Sequence, residues 1–252
     1  MNGLSLENVT HFDLEIQLDA PRIGELHLWK WRTDNALPNI ESPKIESLNI
    51  EALSVDERGR YDRFVDDEVR SKFLVAHVGL RRLLGNYLGC EPGVVELENS
   101  LTGKPRMAGG SLRFNMSHSG ELVVVAVSCD EVGIDVERVR TVASLPALAA
   151  RYMTSNEQAA IDEASEDERL ATFFQLWTRK EAAVKLTGLG LQAAVGLLDV
   201  SPVADLAGEL SLPADWSTDL ESCWLANIAM PAGYVGAVAV ARSSEEVTCR
   251  SC

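Results

Sequence analysis

Between residues 111 and 137 the chain lays down three extended segments with very little between them, and this limits the fold more than any other stretch. Residues 111–116 (SLRFNM) and 121–128 (ELVVVAVS) are joined by Ser117-His118-Ser119-Gly120; residues 121–128 and 132–137 (VGIDVE) are joined by Cys129-Asp130-Glu131. Connectors this short suit hairpins, whereas parallel neighbours need a crossover of a dozen or more residues. The spacing therefore predicts an antiparallel meander with a turn at each connector. The middle segment is a continuous β-branched run, which predicts a strand covered on both faces. The third alternates strictly, so Ile134 and Val136 face one way and Asp135 and Glu137 the other.

Two long helical patterns flank strand signals. Over 64–89, Phe64, Phe73, Leu74, His77, Leu80, Leu83, Leu84 and Leu88 recur at helical spacing, and Gly89 is a natural stop. A second helix is predicted over 168–187, ending at Gly188. Strand candidates follow at 196–201, 222–229 and 234–241, while the two prolines and many polar groups of 33–50 read as a surface loop. A long helix followed by strands, twice over, predicts an α+β protein of two halves with antiparallel sheets, residues 1–130 and 131–252. The 252 residues suffice for two such units, and 46% hydrophobic content gives each a core.

A net charge of −15 argues against a general nucleic-acid binder, because phosphate contacts need Lys and Arg. Arg58, Arg60, Arg63, Arg70, Lys72, Arg81 and Arg82 do cluster, but Asp62, Asp66, Asp67 and Glu68 interleave with them, as on a solvated helix face. No apolar run approaches the ~20 residues of a membrane span. The acidic N-terminus lacks a secretory layout, so the expected location is cytoplasmic. Five scattered cysteines suit a reducing compartment, and Cys249-Arg-Ser-Cys252 reads as a frayed tail.

The second helix carries an anomaly. On a wheel, Leu170, Phe173, Phe174, Trp177 and Val184 share a side, with Trp177 a packing anchor, and Arg179 lies well away. Glu181 falls inside that apolar stripe, with Lys185 one turn further along its edge. As a surface pair these two are worth only ~0.3 kcal/mol, and an apolar-side location argues against that reading. With Asp135 and Glu137, Glu181 makes a third carboxylate on a rigid element, a donor set suited to a hard cation such as Mg2+. Open positions on such an ion suit phosphate oxygens. Thr102-Gly103-Lys104-Pro105-Arg106 offers a turn with close backbone approach and charge, and Phe114-Asn115-Met116-Ser117-His118-Ser119 offers side chains that bind phosphate or cap a turn.

Gly-Lys-Pro with Phe-Asn-Met-Ser-His-Ser, then Gly-Ile-Asp-Val-Glu, then Trp-Thr-Arg-Lys-Glu-Ala-Ala-Val-Lys closely resemble the phosphopantetheinyl transferases, in particular the long, pseudo-dimeric type that activates nonribosomal peptide and polyketide synthetases. The matched stretch runs from about residue 58 to 190. The resemblance implies two pseudo-twofold-related halves with coenzyme A and Mg2+ between them. A carrier-protein serine attacks the β-phosphate of coenzyme A, takes the phosphopantetheine arm and releases 3′,5′-ADP. Matched residue by residue, Asp135, Glu137 and Glu181 would ligate Mg2+ and bridge it to the pyrophosphate. Gly103, Lys104 and Pro105, with Ser117 and His118, would contact the nucleotide phosphates, and Arg60 the 3′-phosphate. Lys185 would neutralise the leaving phosphate, and Glu181, directly or through a metal-bound water, would take the serine proton. The implied partners are apo acyl or peptidyl carrier proteins met by a monomer; the client, whether of fatty acid, polyketide or peptide synthesis, stays open. So does docking, by a local basic patch in 58–82 or by apolar contact. Two other readings are an inactive carrier-protein and coenzyme A-binding module, and a Mg2+-dependent nucleotide hydrolase.

Overall fold

The computed structural model describes residues 18–22, 24–34, 48–100, 103–110, 112–189, 195–201, 207–216, 218–241 and 248–249. Within them the chain forms β1 (Glu25–Arg32), α1 (Val55–Tyr61), α2 (Asp67–Leu88), β2 (Leu97–Asn99), β3 (Pro105–Met107), β4 (Arg113–Ser119), β5 (Leu122–Ser128), β6 (Val132–Arg138), α3 (Leu145–Tyr152), α4 (Ser155–Glu163), α5 (Arg169–Thr187), β7 (Ala207–Ser211), β8 (Ser222–Asn227), β9 (Tyr234–Ala241) and β10 (Thr248–Cys249). Two four-stranded sheets run β10-β1-β5-β4 and β6-β9-β8-β7, and β2 pairs with β3. Every pairing is antiparallel except the short parallel one between β1 and β10.

The two sheets are built alike. Each begins with a strand (β1 or β6), passes through a long helix (α2 or α5), and returns as a hairpin (β4-β5 or β8-β9) whose second strand pairs with the first. This is the pseudo-dimeric α+β architecture that the repeated pattern predicts. The helix ends follow local chemistry: Asp66 caps α2 by accepting from Glu68 N and Val69 N, and Gly89 and Gly188 end α2 and α5 at φ 64° and 73°.

Burial on both faces explains the β5 run. Val123, Val125 and Val127 pack with Trp29, Trp31 and the Val75, Leu80 and Leu84 face of α2. Leu122, Val124 and Ala126 pack on Val132, Ile134 and Val136 of β6 and Val238 and Val240 of β9. The layers are thus α2, first sheet, second sheet, α5. Each such Val or Leu contributes about 1.5–3 kcal/mol by leaving water. Against the second sheet, α5 presents Ala182 and Ala183 to Ala237, Ala239 and Ala241. Small residues here bring the helix backbone close to the strands, within reach of short side chains.

Three expectations need correction. The meander stops after two strands: β4 pairs with β5, but β6 pairs with β9 in the other sheet. The connector at 129–131 carries the chain between layers, because Ile134 and Val136 bury face-on against β5. Residues 196–201 are not a strand; Val195–Leu197 is a 3-10 turn followed by irregular backbone. Their backbone groups bond to side chains instead: Lys180 Nζ donates to Val195 O and Leu198 O, and Val200 N donates to Glu157 Oε1. Third, the first residue of the expected frayed tail, Cys249, ends strand β10 with its backbone opposite Leu26; residues 250–252 lie outside the described residues, as do 35–47 of the expected 33–50 loop. β1 is a strand that the sequence pattern does not predict; it is buried on both faces, Leu26 toward the second sheet and Trp29 and Trp31 toward α2.

Lys180 and Glu157 are fully buried and paired at 2.7 Å. Removing one partner of such a pair leaves an uncompensated charge and costs about 3–5 kcal/mol. Lys180→Met is therefore expected to lower the melting temperature by on the order of 10 °C, measured by calorimetry. A shift below 2 °C would show that the 195–200 segment stands without this anchor.

Candidate active site

The site forms where the edge of one sheet meets the edge of the other. β4 and β6 do not exchange backbone hydrogen bonds. Instead, Asn115 Oδ1 accepts from Ile134 N at 2.9 Å, Ser117 Oγ from Val136 N at 3.4 Å, and Ser119 Oγ from Arg138 N at 3.1 Å. The offset of 19 residues is constant, so the strands run parallel and side chains of one pair the open edge of the other. These N–H groups face away from β9 and need acceptors when buried. The row Asn115, Ser117, Ser119 is a polar period-two stripe on the face of β4 opposite to Leu112, Phe114 and Met116, which pack toward α2.

Asp135 and Glu137 project from β6 at this seam. Asp135 is 5% exposed. Its Oδ1 accepts from Ser117 Oγ at 2.7 Å and Lys185 Nζ at 2.6 Å, while its Oδ2 is buried without a partner. Glu137 Oε2 accepts from Ser119 Oγ at 2.6 Å and an Arg140 N–H at 2.9 Å. On the same side of the seam, packed on β6, α5 supplies Glu181 and Lys185 a turn apart. Glu181 is 7% exposed, and its Oε1 is buried without a partner. Burial, the Asp135 carboxylate and Glu137 push its carboxyl up to about 7, against the pull of Lys185. Burial also raises Asp135, offset in part by Lys185 and Ser117.

Two buried carboxylate oxygens without partners, on different elements, are a donor set that fits a hard cation. Among the described residues, no group of three or more His, Cys, Asp or Glu stands arranged to hold a metal ion. Lys185 is the cation that bonds Asp135 in this structure.

A cavity of about 240 Å³ adjoins the seam, lined by Arg60 of α1, His77 of α2, Pro105, Asn115 and Met116, among others. Its wall is built by Glu57, which closes a capping box with Ser54 at the start of α1 and also holds His77 Nδ1 and Arg81 Nε on α2. Burial pushes the Glu57 carboxyl up, and His77, the Ser54 amide and Arg81 more than reverse this, to about 2. Phe73 stacks on His77 at 4.0 Å, and the Arg60 guanidinium lies 5.2 Å from the same ring. Desolvation, with His77 and Lys185 nearby, holds the His118 imidazole below its ordinary value.

The Gly103-Lys104-Pro105 turn stands between that cavity and a second one of about 310 Å³ that reaches Thr187 and Gly188. Gly103 has φ 86°, open to glycine without strain. Lys104 Nζ crosses to the other half, donating to Val132 O at 2.9 Å, Leu186 O at 3.1 Å and Glu131 Oε2 at 3.0 Å. Burial lowers its pKa.

The structure therefore gathers Asp135, Glu137, Glu181, Lys185 and Ser117 at the seam, and sets Arg60 and Pro105 on the adjoining cavity; His118 is exposed and lies on the opposite face of β4 from Ser117. Trp177 packs as expected, against Phe173 and Tyr152. Ser117 and His118 belong to strand β4 rather than a turn; the turn is at Gly120, φ 57°. Arg179, expected to point away, is 7% exposed and donates to Asn227 Oδ1. His77, expected only as an inner helix position, bonds Glu57 at the cavity wall, and Ser119, expected to bind phosphate or cap a turn, bonds Glu137 as the next member of the Asn115, Ser117 stripe.

Residues 131–239 match the model of the 4′-phosphopantetheinyl transferase superfamily, and residues 42–130 match a 4′-phosphopantetheinyl transferase N-terminal model. The chain is 33% identical over 198 residues to the 4′-phosphopantetheinyl transferase HetI of Nostoc sp., covering 77% of this chain and 81% of that one. It is 26% identical over 198 residues to the 4′-phosphopantetheinyl transferase Sfp of Bacillus subtilis, covering 77% and 86%. To the 4′-phosphopantetheinyl transferase AcpT of Salmonella typhimurium it is 38% identical over 110 residues, covering 43% and 56%. With the fold and the matched extent both in hand, the chain belongs to the 4′-phosphopantetheinyl transferase superfamily.

Proposed function

We propose that this protein transfers the 4′-phosphopantetheine arm of coenzyme A to a serine of an apo acyl or peptidyl carrier protein, with Mg2+ at the carboxylate seam. The observation that carries the site assignment is the pair of buried, unpartnered oxygens, Asp135 Oδ2 and Glu181 Oε1, beside Lys185. Asp135, Glu181 and Glu137 would hold the ion, which when bound neutralises pyrophosphate charge.

The carrier serine oxygen bonds to the β-phosphorus of coenzyme A as the bond from that phosphorus to the bridging oxygen breaks. The electron pair leaves on 3′,5′-ADP, and the serine proton passes to Glu181 at the carboxylate oxygen that the ion leaves open. Lys185 supplies positive charge to the leaving phosphate. Ser117 and His118 close the phosphate end of the site, and Arg60 offers a cation to the 3′-phosphate. Lys104 meets a phosphate by exchanging its Glu131 partner for it while keeping the carbonyls of Val132 and Leu186. Two halves in one chain, divided near residue 130, supply both sides of the site, so a monomer suffices.

Incubation with coenzyme A, Mg2+ and a panel of apo carrier proteins is expected to add one phosphopantetheine mass to a carrier serine. Release of nucleotide without any acceptor protein, or no carrier gaining mass, would overturn the reading. Lys104→Ala is expected to raise KM for coenzyme A about tenfold, the size of one lost charge-assisted contact, and to lower the melting temperature. An unchanged KM beside a lowered melting temperature would reduce Lys104 to a strut between halves.

A further inference from the structure

The two carboxylates of β6 are held in the same way. Each places one oxygen on a β4 serine and a cation: Asp135 Oδ1 on Ser117 and Lys185, Glu137 Oε2 on Ser119 and Arg140. In Asp135 the other oxygen is buried and has no partner, and in Glu137 both bonds likewise fall on a single oxygen. The serines are two residues apart on β4, and the carboxylates are two residues apart on β6. Each serine also accepts from the backbone N–H of the residue after its carboxylate, Val136 or Arg138. A hydroxyl fixed by that amide has its proton free to aim at the carboxylate, so the backbone seam sets the serine and the serine sets the carboxylate.

We propose that Ser117 and Ser119 are positioning residues that fix the rotamers of Asp135 and Glu137, so that each carboxylate presents its second oxygen to a divalent cation. This rests on the metal assignment above and extends it to a serine, Ser119, that need not touch coenzyme A. Arg140 cannot substitute for it: its side chain is 54% exposed, and exposed charge pairs orient weakly. Ser119 is the cleaner test, because Ser117 also contacts Lys185.

Full-length wild-type protein is compared with Ser119→Ala and with Ser119→Thr, which keeps the hydroxyl on a residue that strands favour. Two readouts are taken: the Mg2+ concentration giving half-maximal carrier modification, and the thermal shift produced by Mg2+ alone without coenzyme A. Outer-shell partners of metal ligands typically matter 10- to 100-fold in affinity. Ser119→Ala is expected to need about tenfold more Mg2+ in both readouts, with KM for coenzyme A within twofold, and Ser119→Thr to return both toward wild type. Unchanged Mg2+ dependence in Ser119→Ala overturns the proposal. So does an equal loss in both variants, which would mean that the seam merely packs there. If wild type shows no Mg2+ response at all, the metal assignment falls and the positioning role with it. If wild type responds to Mg2+ but modifies no carrier, the transfer reading fails and the thermal-shift arm still decides for or against Ser119.

Discussion

Glu181→Gln is expected to abolish transfer while making the metal-free protein more stable above neutral pH. The ordinary carboxyl value is 4.5, and burial with Asp135 and Glu137 raises it to about 7 in the folded protein. A raised acid favours the folded state fully below the unfolded value, and that contribution is lost as pH rises through the folded one. Between pH 4.5 and 7 the folded protein accumulates the cost of a charged Glu181, on the order of 3 kcal/mol by linkage. Glutamine has the same shape and never carries that charge. In EDTA at pH 8 the variant is expected to melt several degrees above wild type, a difference that closes toward pH 5. Carrier modification, measured by mass, is expected to fall on the order of 10³-fold, within the range for loss of a general base. A variant that melts at or below wild type at pH 8 would show that Glu181 is not a strained carboxylate. One that keeps most of its activity would remove Glu181 from the proton transfer.

The opposition between stability and activity at this residue also explains what could be read from the chain. Glu181 stood out because helix periodicity is local: the apolar neighbours at 173, 174, 177 and 184 place it on the inner side whatever else the fold does. The stops at Gly89 and Gly188, and the two-faced burial of β5, are local in the same sense. The sheet change at 129–131 was not legible, since a three-residue connector serves a hairpin or a step between layers equally well. Nor was the burial of Arg179 and Lys180 on either side of the expected inner face. Their partners, Asn227, Glu157 and the carbonyls of 195–200, come from segments remote in sequence. The candidate site divides the same way: carboxylates and cations announce themselves by type, whereas Ser119 acquires meaning only from the Glu137 and Arg138 that lie beside it.

Gly133→Ala is expected to cost both activity and stability heavily. Gly133 sits on β6 two residues before Asp135, facing α5. A Cβ built there would lie 2.1 Å from Ala182 O and 2.3 Å from Leu186 N. Both are helix backbone atoms, so no rotamer change relieves the contact; α5 must move away from the strand by about 1 Å to reach ordinary separation. Glu181 and Lys185 ride on the same turn as Ala182 and Leu186, and Asp135 is fixed to β6, so the displacement opens the site itself. The Lys185–Asp135 contact at 2.6 Å would be the first lost, and Leu186 O would draw away from Lys104. A misplacement of this size costs a catalytic constellation about 10²-fold even where the fold survives, and overpacking against backbone adds a stability loss of about 3 kcal/mol or more. Transfer is therefore expected to drop at least 100-fold with a melting temperature lowered by on the order of 10 °C. Gly59 of α1, where an added Cβ meets nothing within 4 Å, is the control: Gly59→Ala should leave activity unchanged and, if anything, raise the melting temperature by a few degrees. If Gly133→Ala keeps its activity, the close approach of α5 to β6 is not what assembles the carboxylates, and the seam between the halves must be held by β4 alone.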